Sequence, residues 1–278
     1  MPRPKYTSYQ PGVFAAPSAS ARFATRNYTV DNVLREYRKI RTEGDYLRAH
    51  DSDEIPEMRY TAHVDNGLGL GNHFQGMQRL RKGQYVVISG GDPHSNPKHK
   101  RASHVFVVKM GSRASRGPWG SNIVKRQVPP TSDRIVKTIG IDRQLWHAGG
   151  VSVCGDILAV PVECNTPEKS RIVFYNMQDP EKPLQFKHAV KRSKGKAGAV
   201  ALTRLPNDYY LLAVWSDSDK KPRRLDFYIS QSTRFADGFA PGPVTWYARD
   251  VVAVAGEDAN FSNFQTVNFV NQTDGRLF

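Results

Sequence analysis

Residues that could do chemistry recur beside four short apolar segments of this 278-residue chain. A polar or aromatic residue precedes each segment, and an acidic residue follows three of the four. The residues concerned are Asn72, His73, Gln75, Asp92, Trp146, His147, Glu163, Lys196, Trp215, Asp217, Asn263 and Gln265. Imidazole, carboxylate and amide groups brought to one place suit a divalent cation or acid–base chemistry.

A metal site is the first chemistry that this set predicts. The candidate ligands are His73, His147, Asp92, Glu163 and Asp217. Imidazole with carboxylate suits zinc, manganese or iron, whereas carboxylate with amide oxygen suits calcium. His73 and His147 are also the candidate catalytic bases, with the acids orienting them. If the chain is an enzyme, we therefore expect a hydrolase that acts on an ester, a lactone or a phosphoester.

Ligand binding without catalysis is the second interpretation of the same residues. The candidate ligand-binding residues are Asn72, Gln75, Trp146, Trp215, Asn263 and Gln265. Each candidate also has a structural alternative: a buried His can tie neighbouring elements by hydrogen bonds, a Trp can pack in the core, and an acid can cap a turn or pair with Lys or Arg. The sequence leaves these interpretations open.

The elements that must position these residues are predicted to be β-strands. From about residue 57, short β-branched and aromatic runs alternate with clusters of Gly, Pro, Asn and Asp, which is typical of an all-β protein. The strands are predicted over 58–64, 76–80, 84–89, 103–110, 135–141, 150–154, 157–162, 171–177, 184–190, 198–204, 209–215, 224–230, 243–248, 251–254 and 265–270. One helical pattern, over 31–41, precedes them.

A unit of two apolar strands joined by a tight turn recurs at 73–92, 147–163, 196–217 and 263–278. A further strand follows the first three copies, and a fourth strand follows the second copy. Four antiparallel strands per unit predict the blades of a β-propeller with about four blades, and a β-sandwich is the alternative. Gly150 begins an inner strand, where a residue without a side chain would let neighbouring units approach closely.

Residues 150–190 resemble one blade of the propellers with LVIVD-type repeats, because GDILAVPVE and SRIVFYNM are followed by an Asp-Pro-x-x-Pro turn at 179–183. The resemblance implies a fold, and the members of that group do not share one activity. It also implies that the loops entering the inner strands and leaving the second strands open on one face, around a polar axial pocket. Propeller lactonases hold a metal at such a position, but the chain matches none of their motifs residue by residue.

We predict an N-terminal arm with a short helix over 1–56 and a propeller domain over 57–278. The fourth repeat stops at Phe278, within its second strand. Either the ring is small and closed by residues 57–64, or it is incomplete and leaves a sheet edge that suits a partner chain or an oligomer.

The net charge of +14 predicts an anionic partner, either a small molecule, a protein, a nucleic acid or a glycan. No nucleic-acid-binding motif accompanies the basic clusters at 79–82, 98–101, 191–196 and 220–224. No apolar run is long enough to span a membrane, and the N-terminus lacks the apolar core of a secretory signal. Cys154 and Cys164 would lie too far apart in their hairpin to form a disulfide, so they imply no oxidising compartment. The sequence does not identify the cellular compartment.

Three functions follow as hypotheses. The first is a propeller binding or scaffold protein whose polar axial pocket recognises an anionic ligand or partner. The second is a metal-dependent propeller hydrolase. The third is a polyanion-binding surface that uses the basic loops at 98–101 and 220–224.

Overall fold

The computed structural model describes residues 28–39, 73–92, 102–110, 134–165, 168–217, 222–255 and 264–278. These residues form an all-β protein with three antiparallel sheets of four to five strands. Within the described ranges the sheets do not join into a closed ring.

Each sheet is a meander whose strands follow one another in chain order. Sheet 1 contains β1 (His73–Arg79), β2 (Tyr85–Asp92), β3 (Ala102–Lys109) and β4 (Arg134–Asp142). Sheet 2 contains β5 (His147–Ala148), β6 (Ser152–Cys154), β7 (Ile157–Asn165), β8 (Glu168–Asn176) and β9 (Leu184–Arg192). Sheet 3 contains β10 (Ala199–Arg204), β11 (Tyr210–Ser216), β12 (Arg224–Ser230) and β13 (Phe239–Tyr247). Strands β5 and β6 both pair with β7, so they are two parts of one interrupted inner strand.

The middle strands of sheet 2, β7 and β8, are covered on both faces over most of their length. Val87 of sheet 1 packs in one apolar cluster with Val160 and Val173 of sheet 2. On the opposite face, Phe174 of sheet 2 shares a second cluster with Leu212 of sheet 3. Because both faces of β7 and β8 need apolar side chains, their sequences lack the alternation of polar and apolar residues that a half-exposed strand shows.

The inner strands of neighbouring sheets are in direct backbone contact. The N–H of Gly150 donates to the carbonyl of Gly198 at 2.8 Å, and a side chain at position 150 would collide with the carbonyl of Gln265. A side chain at Gly76 of β1 would come within 2.7 Å of the backbone nitrogen of Val151. The prediction that Gly150 lies in a crowded inner strand is therefore confirmed.

The C-terminal repeat is a thin layer. Phe264 and Phe269 pack against Trp215 of sheet 3. The chain then forms a small hairpin in which Val270 and Phe278 exchange backbone hydrogen bonds of 2.8 and 3.0 Å. The N-terminal segment joins this hairpin through a parallel bridge between residues 30 and 272.

Two predicted strands are wrong and the predicted helix is confirmed over part of its length. Residues 251–254 belong to helix α2 (Ala248–Ala255), which begins directly after β13, where Ala248 donates its N–H to the carbonyl of Arg223. Residues 265–270 form no strand; Val267 and Phe269 pack on sheet 3, and only Val270 pairs through its backbone, with Phe278. Helix α1 (Val33–Tyr37) lies inside the predicted 31–41 and is capped by Asn32. The predicted strand 57–64 and the domain boundary at 56/57 lie outside the described residues.

Candidate functional site

The three inner strands begin at the same end of the molecule, which we call the entry face. Residue Gly150 pairs in parallel with Ala199, and Gly76 of β1 lies against Gly150. Because each sheet is antiparallel, this end also carries the loops that leave β2, β7 and β11. The predicted functional residues of the first three repeats therefore lie at or near one face.

His147 and Glu163 meet at the entry face as a cross-strand pair of β5 and β7. His147 Nδ1 lies 3.1 Å from Glu163 Oε1. The second carboxylate oxygen of Glu163 accepts the backbone N–H of Ala197, which precedes β10. Both oxygens of this buried carboxylate are thus engaged, as burial requires. Glu163 thereby ties sheet 2 to the start of sheet 3, and His147 has the buried hydrogen-bonding partner that its structural alternative expects.

Asp217 and Trp215 have local partners at the end of β11. Asp217 Oδ1 lies 2.9 Å from Arg223 Nε across the loop that leads to β12. Trp215 is fully buried, and its ring lies edge-on to Phe264 with centroids 4.8 Å apart. The Trp215 side chain therefore belongs to the core between sheet 3 and the C-terminal layer.

The other predicted residues are distributed as follows. The backbones of His73 and Asp92 lie at the entry-face ends of β1 and β2, but their side chains are outside the described part of the chain. Asn72 and Asn263 lie outside the described residues altogether. Gln75 is half-buried in β1, Trp146 is half-buried with its ring edge-on to His147 at 5.5 Å, and Gln265 is exposed. The carbonyl of Lys196 accepts hydrogen bonds from Arg192 and, at 3.0 Å, from Ser216.

No metal centre is assembled by the described side chains. Within those ranges, no group of three or more His, Cys, Asp or Glu residues could hold an ion. Glu163 and Asp217 already have protein partners. The metal site predicted at His73, His147, Asp92, Glu163 and Asp217 stays a prediction, because the side chains of His73 and Asp92 lie outside the described residues.

Sequence reasoning missed the buried arginine that organises this face. The guanidinium of Arg192 donates to Ser216 Oγ at 2.6 Å, and it also contacts Asp226 Oδ2 and the carbonyl of Lys196. Arg224 Nε completes the cluster at 2.9 Å from Asp226 Oδ1. The basic run 191–196 was visible in the sequence, but nothing in it distinguishes the buried cation from the exposed ones.

Four lysines remain on the outside of this cluster. Lys169, Lys191 and Lys194 are exposed and Lys196 is half-buried, and none of the four pairs with a carboxylate in the described ranges. The carboxylates of this face with resolved partners are each bound by an arginine or a histidine: Asp142 by Arg171, Glu163 by His147, Asp217 by Arg223, and Asp226 by Arg192 and Arg224. The entry face therefore carries surplus positive charge.

Two histidines in apolar surroundings were also missed, one buried and one half-buried. His104 of β3 is fully buried against Phe106, with ring centroids 4.6 Å apart, and neither ring nitrogen finds a hydrogen-bond partner in the part of the chain that is described. Burial lowers the pKa of His104 to about 4. Burial likewise lowers the pKa of His188 to about 4, among Phe174, Phe235 and other rings. Both are neutral core residues near neutral pH.

Comparison with known proteins adds no relative. No family model, no curated protein and no solved structure matches the chain. The antiparallel sheets of four to five strands are consistent with the blades expected from the sequence. Across the described ranges, no helix has both the length and the apolar character needed to span a membrane.

Proposed function

We propose that the protein is a propeller-like binding module whose entry face recognises an anionic partner. The observation that carries this proposal is a set of lysines that pair with no carboxylate in the described ranges, Lys169, Lys191, Lys194 and Lys196, around carboxylates that are already bound. Cations gathered on one face raise the local concentration of anions and speed their association.

The arrangement of the sheets supports a small propeller with three full blades and a thin fourth unit. Gln78 of β1 donates to the side chain of Asn268 at 2.8 Å, so the C-terminal layer contacts sheet 1 as well as sheet 3. The axial pocket expected from the sequence has less support, because the backbones of Gly150 and Gln265 meet where it would lie. We therefore assign the binding role to the entry face.

The loop that carries two of the lysines is held in place from both sides. Ser170 Oγ donates to the carbonyl of Gly195 at 2.8 Å, and Gly195 returns its N–H to the carbonyl of Glu168 at 3.3 Å. Arg192 holds the next carbonyl, that of Lys196. A fixed backbone lowers the conformational entropy that the lysines lose on binding.

Retention on immobilised heparin, a general polyanion, tests the proposal. Lys194→Gln with Lys196→Gln should elute at clearly lower salt than the parent protein, because two contacts that release counterions are lost. The matched control, Lys82→Gln with Lys182→Gln, removes the same charge from exposed lysines at the opposite end of the sheets. Equal shifts for both variants would indicate a diffuse charge effect, and absence of retention for the parent would refute the proposal.

A further inference from the structure

Three cations line one side of sheet 2 at the entry face, and we call them the cation ladder. Arg171 of β8 lies directly opposite Lys191 of β9. Lys169 precedes Arg171 by two residues on the same strand, so its side chain leaves from the same side of the sheet. This side is the one on which Val173 packs toward sheet 1.

The three cations of the ladder have too few carboxylate partners within the described ranges. Like charges placed directly opposite each other on a sheet destabilise it, since their Cβ atoms are about 5 Å apart. Asp142 Oδ2 lies 2.6 Å from Arg171 Nη2 and is the one described carboxylate that pairs with any of the three cations. Lys169 and Lys191 are left without one, and the buried Nε of Arg171 has no hydrogen-bond partner there. An oxyanion at this position would satisfy all three.

An aromatic residue lies at the same end of sheet 2 as the ladder, with β7 between it and Lys169. His147 pairs with Glu163, and Cys164, the residue after Glu163, pairs with Lys169. Trp146 directly precedes His147 and so continues the strand toward the same end as Lys169. Its indole is half-buried, which leaves part of the ring open to solvent. A ring next to a row of cations is the combination that binds single-stranded nucleic acid, where bases stack and phosphates pair.

Resting on the proposed function, we propose that the cation ladder binds a backbone phosphate of single-stranded nucleic acid, with the adjoining base against Trp146. The planar guanidinium of Arg171 suits a phosphate, and the two lysines add point charges. Lys194 and Lys196 follow in the loop to β10, so the positive surface extends beyond one phosphate. This extension favours a strand over a single small anion, and the indole favours bases over the sulfated sugars of a glycan.

Fluorescence anisotropy with a labelled oligothymidylate of about 12 nucleotides, within the site size of single-strand binding folds, tests this inference. Lys169→Gln with Lys191→Gln should weaken binding and reduce the slope of log K against log salt by up to about 0.7, the value for one lost phosphate contact. The matched control is Lys187→Gln with Lys182→Gln, which also removes two exposed lysines from the same sheet. It should leave the slope unchanged.

Two further variants separate charge from stacking and from misfolding. Lys169→Arg with Lys191→Arg keeps the charge and should bind like the parent protein. Trp146→Leu should weaken binding by about tenfold, the size of one stacked base, without changing the salt slope. An unchanged slope in the Lys→Gln ladder variant, or the same loss in its control, would overturn the assignment of the ladder.

The outcomes also separate this inference from the proposed function. Retention on heparin without binding of oligothymidylate would overturn the nucleic-acid inference and leave the anion-binding entry face intact. Absence of both would refute both proposals. Binding of oligothymidylate that depends on the ladder lysines and on Trp146 would support both.

Discussion

The two ends of the sheets handle charge differently. At the end opposite the entry face, where each inner strand turns into the next strand, cations pair with acids near the surface: Lys109 with Glu181 at 3.0 Å and Arg204 with Asp208 at 3.3 Å. At the entry face, the side chains of Arg192 and Asp226 pair at exposures of 5% and 16%. The lysines of the entry face lie outside such pairs.

This difference separates charge that serves the fold from charge that the proposed function assigns to a partner. Exposed ion pairs contribute about 0–1 kcal/mol, so the pairs at the opposite end add little to stability. Removing one partner of a buried ion pair destabilises the fold, because the other charge is left buried without compensation. At the entry face the acids form such pairs, and the proposed function assigns the lysines around them to an anion from outside the chain.

The largest effect should come from breaking the buried cluster. Arg192→Met should lower the free energy of unfolding by about 3 kcal/mol, because Ser216 and Asp226 lose their buried donor. The control is Arg204→Met at the opposite end, whose exposed pair with Asp208 should cost less than about 1 kcal/mol. Urea unfolding at neutral pH measures both, and similar losses for the two variants would remove the proposed difference between the ends.

Acid should destabilise the protein through its buried histidines. The pKa of His104 is about 4 in the folded protein and 6.5 in a model peptide, so the unfolded chain binds the proton first as the pH falls. The resulting stability is complete above pH 6.5 and is lost on the way to pH 4, by on the order of 3 kcal/mol. His188 acts in the same direction.

The variant His104→Leu isolates the contribution of one ring. Its free energy of unfolding should fall less between pH 7.5 and pH 4.5 than that of the parent protein, because its core has no group to protonate. Parallel pH profiles for the two proteins, measured by urea unfolding, would show that His104 is not a neutral buried ring.

The link between sheets 2 and 3 should be weaker than the arginine cluster. Glu163→Gln keeps one oxygen for the N–H of Ala197 but removes the charged partner of His147, and we expect a loss of about 1–2 kcal/mol. His147→Ala should cost a similar amount, and the double variant should cost less than the sum, since the two residues share one interaction. Additive losses would indicate that the pair is not coupled.

The strands could be predicted because apolar runs and tight turns are local signals. The need for glycine at position 150 could be predicted from the sequence, because a repeated glycine at the start of an inner strand indicates steric crowding. The backbone contacts of Gly150 confirm that crowding. Residues 251–254 were misassigned because a short apolar run does not distinguish a strand from a buried helix turn.

The charge distribution at the entry face could not be predicted in the same way. Arg192 and Lys191 are neighbours in one basic run, yet Arg192 pairs across from Ser170 and points toward sheet 3, whereas Lys191 pairs with Arg171 on the opposite side. A one-residue change of register would exchange their roles. The pairing of strands therefore decides which cation is structural, and composition does not contain that information.

The smallest effect should come from the surface pair at the opposite end. Lys109 and the hydroxyl of Tyr85 both donate to Glu181 Oε1, at 3.0 and 2.7 Å, and the hydrogen bond to Glu181 raises the pKa of Lys109. Glu181→Gln should nevertheless change the free energy of unfolding by less than about 1 kcal/mol, because water replaces an exposed partner at little cost. A loss in urea unfolding as large as that of Arg192→Met would mean that this end, too, depends on its charges, and that the lysines of the entry face are not set apart from the rest of the basic surface.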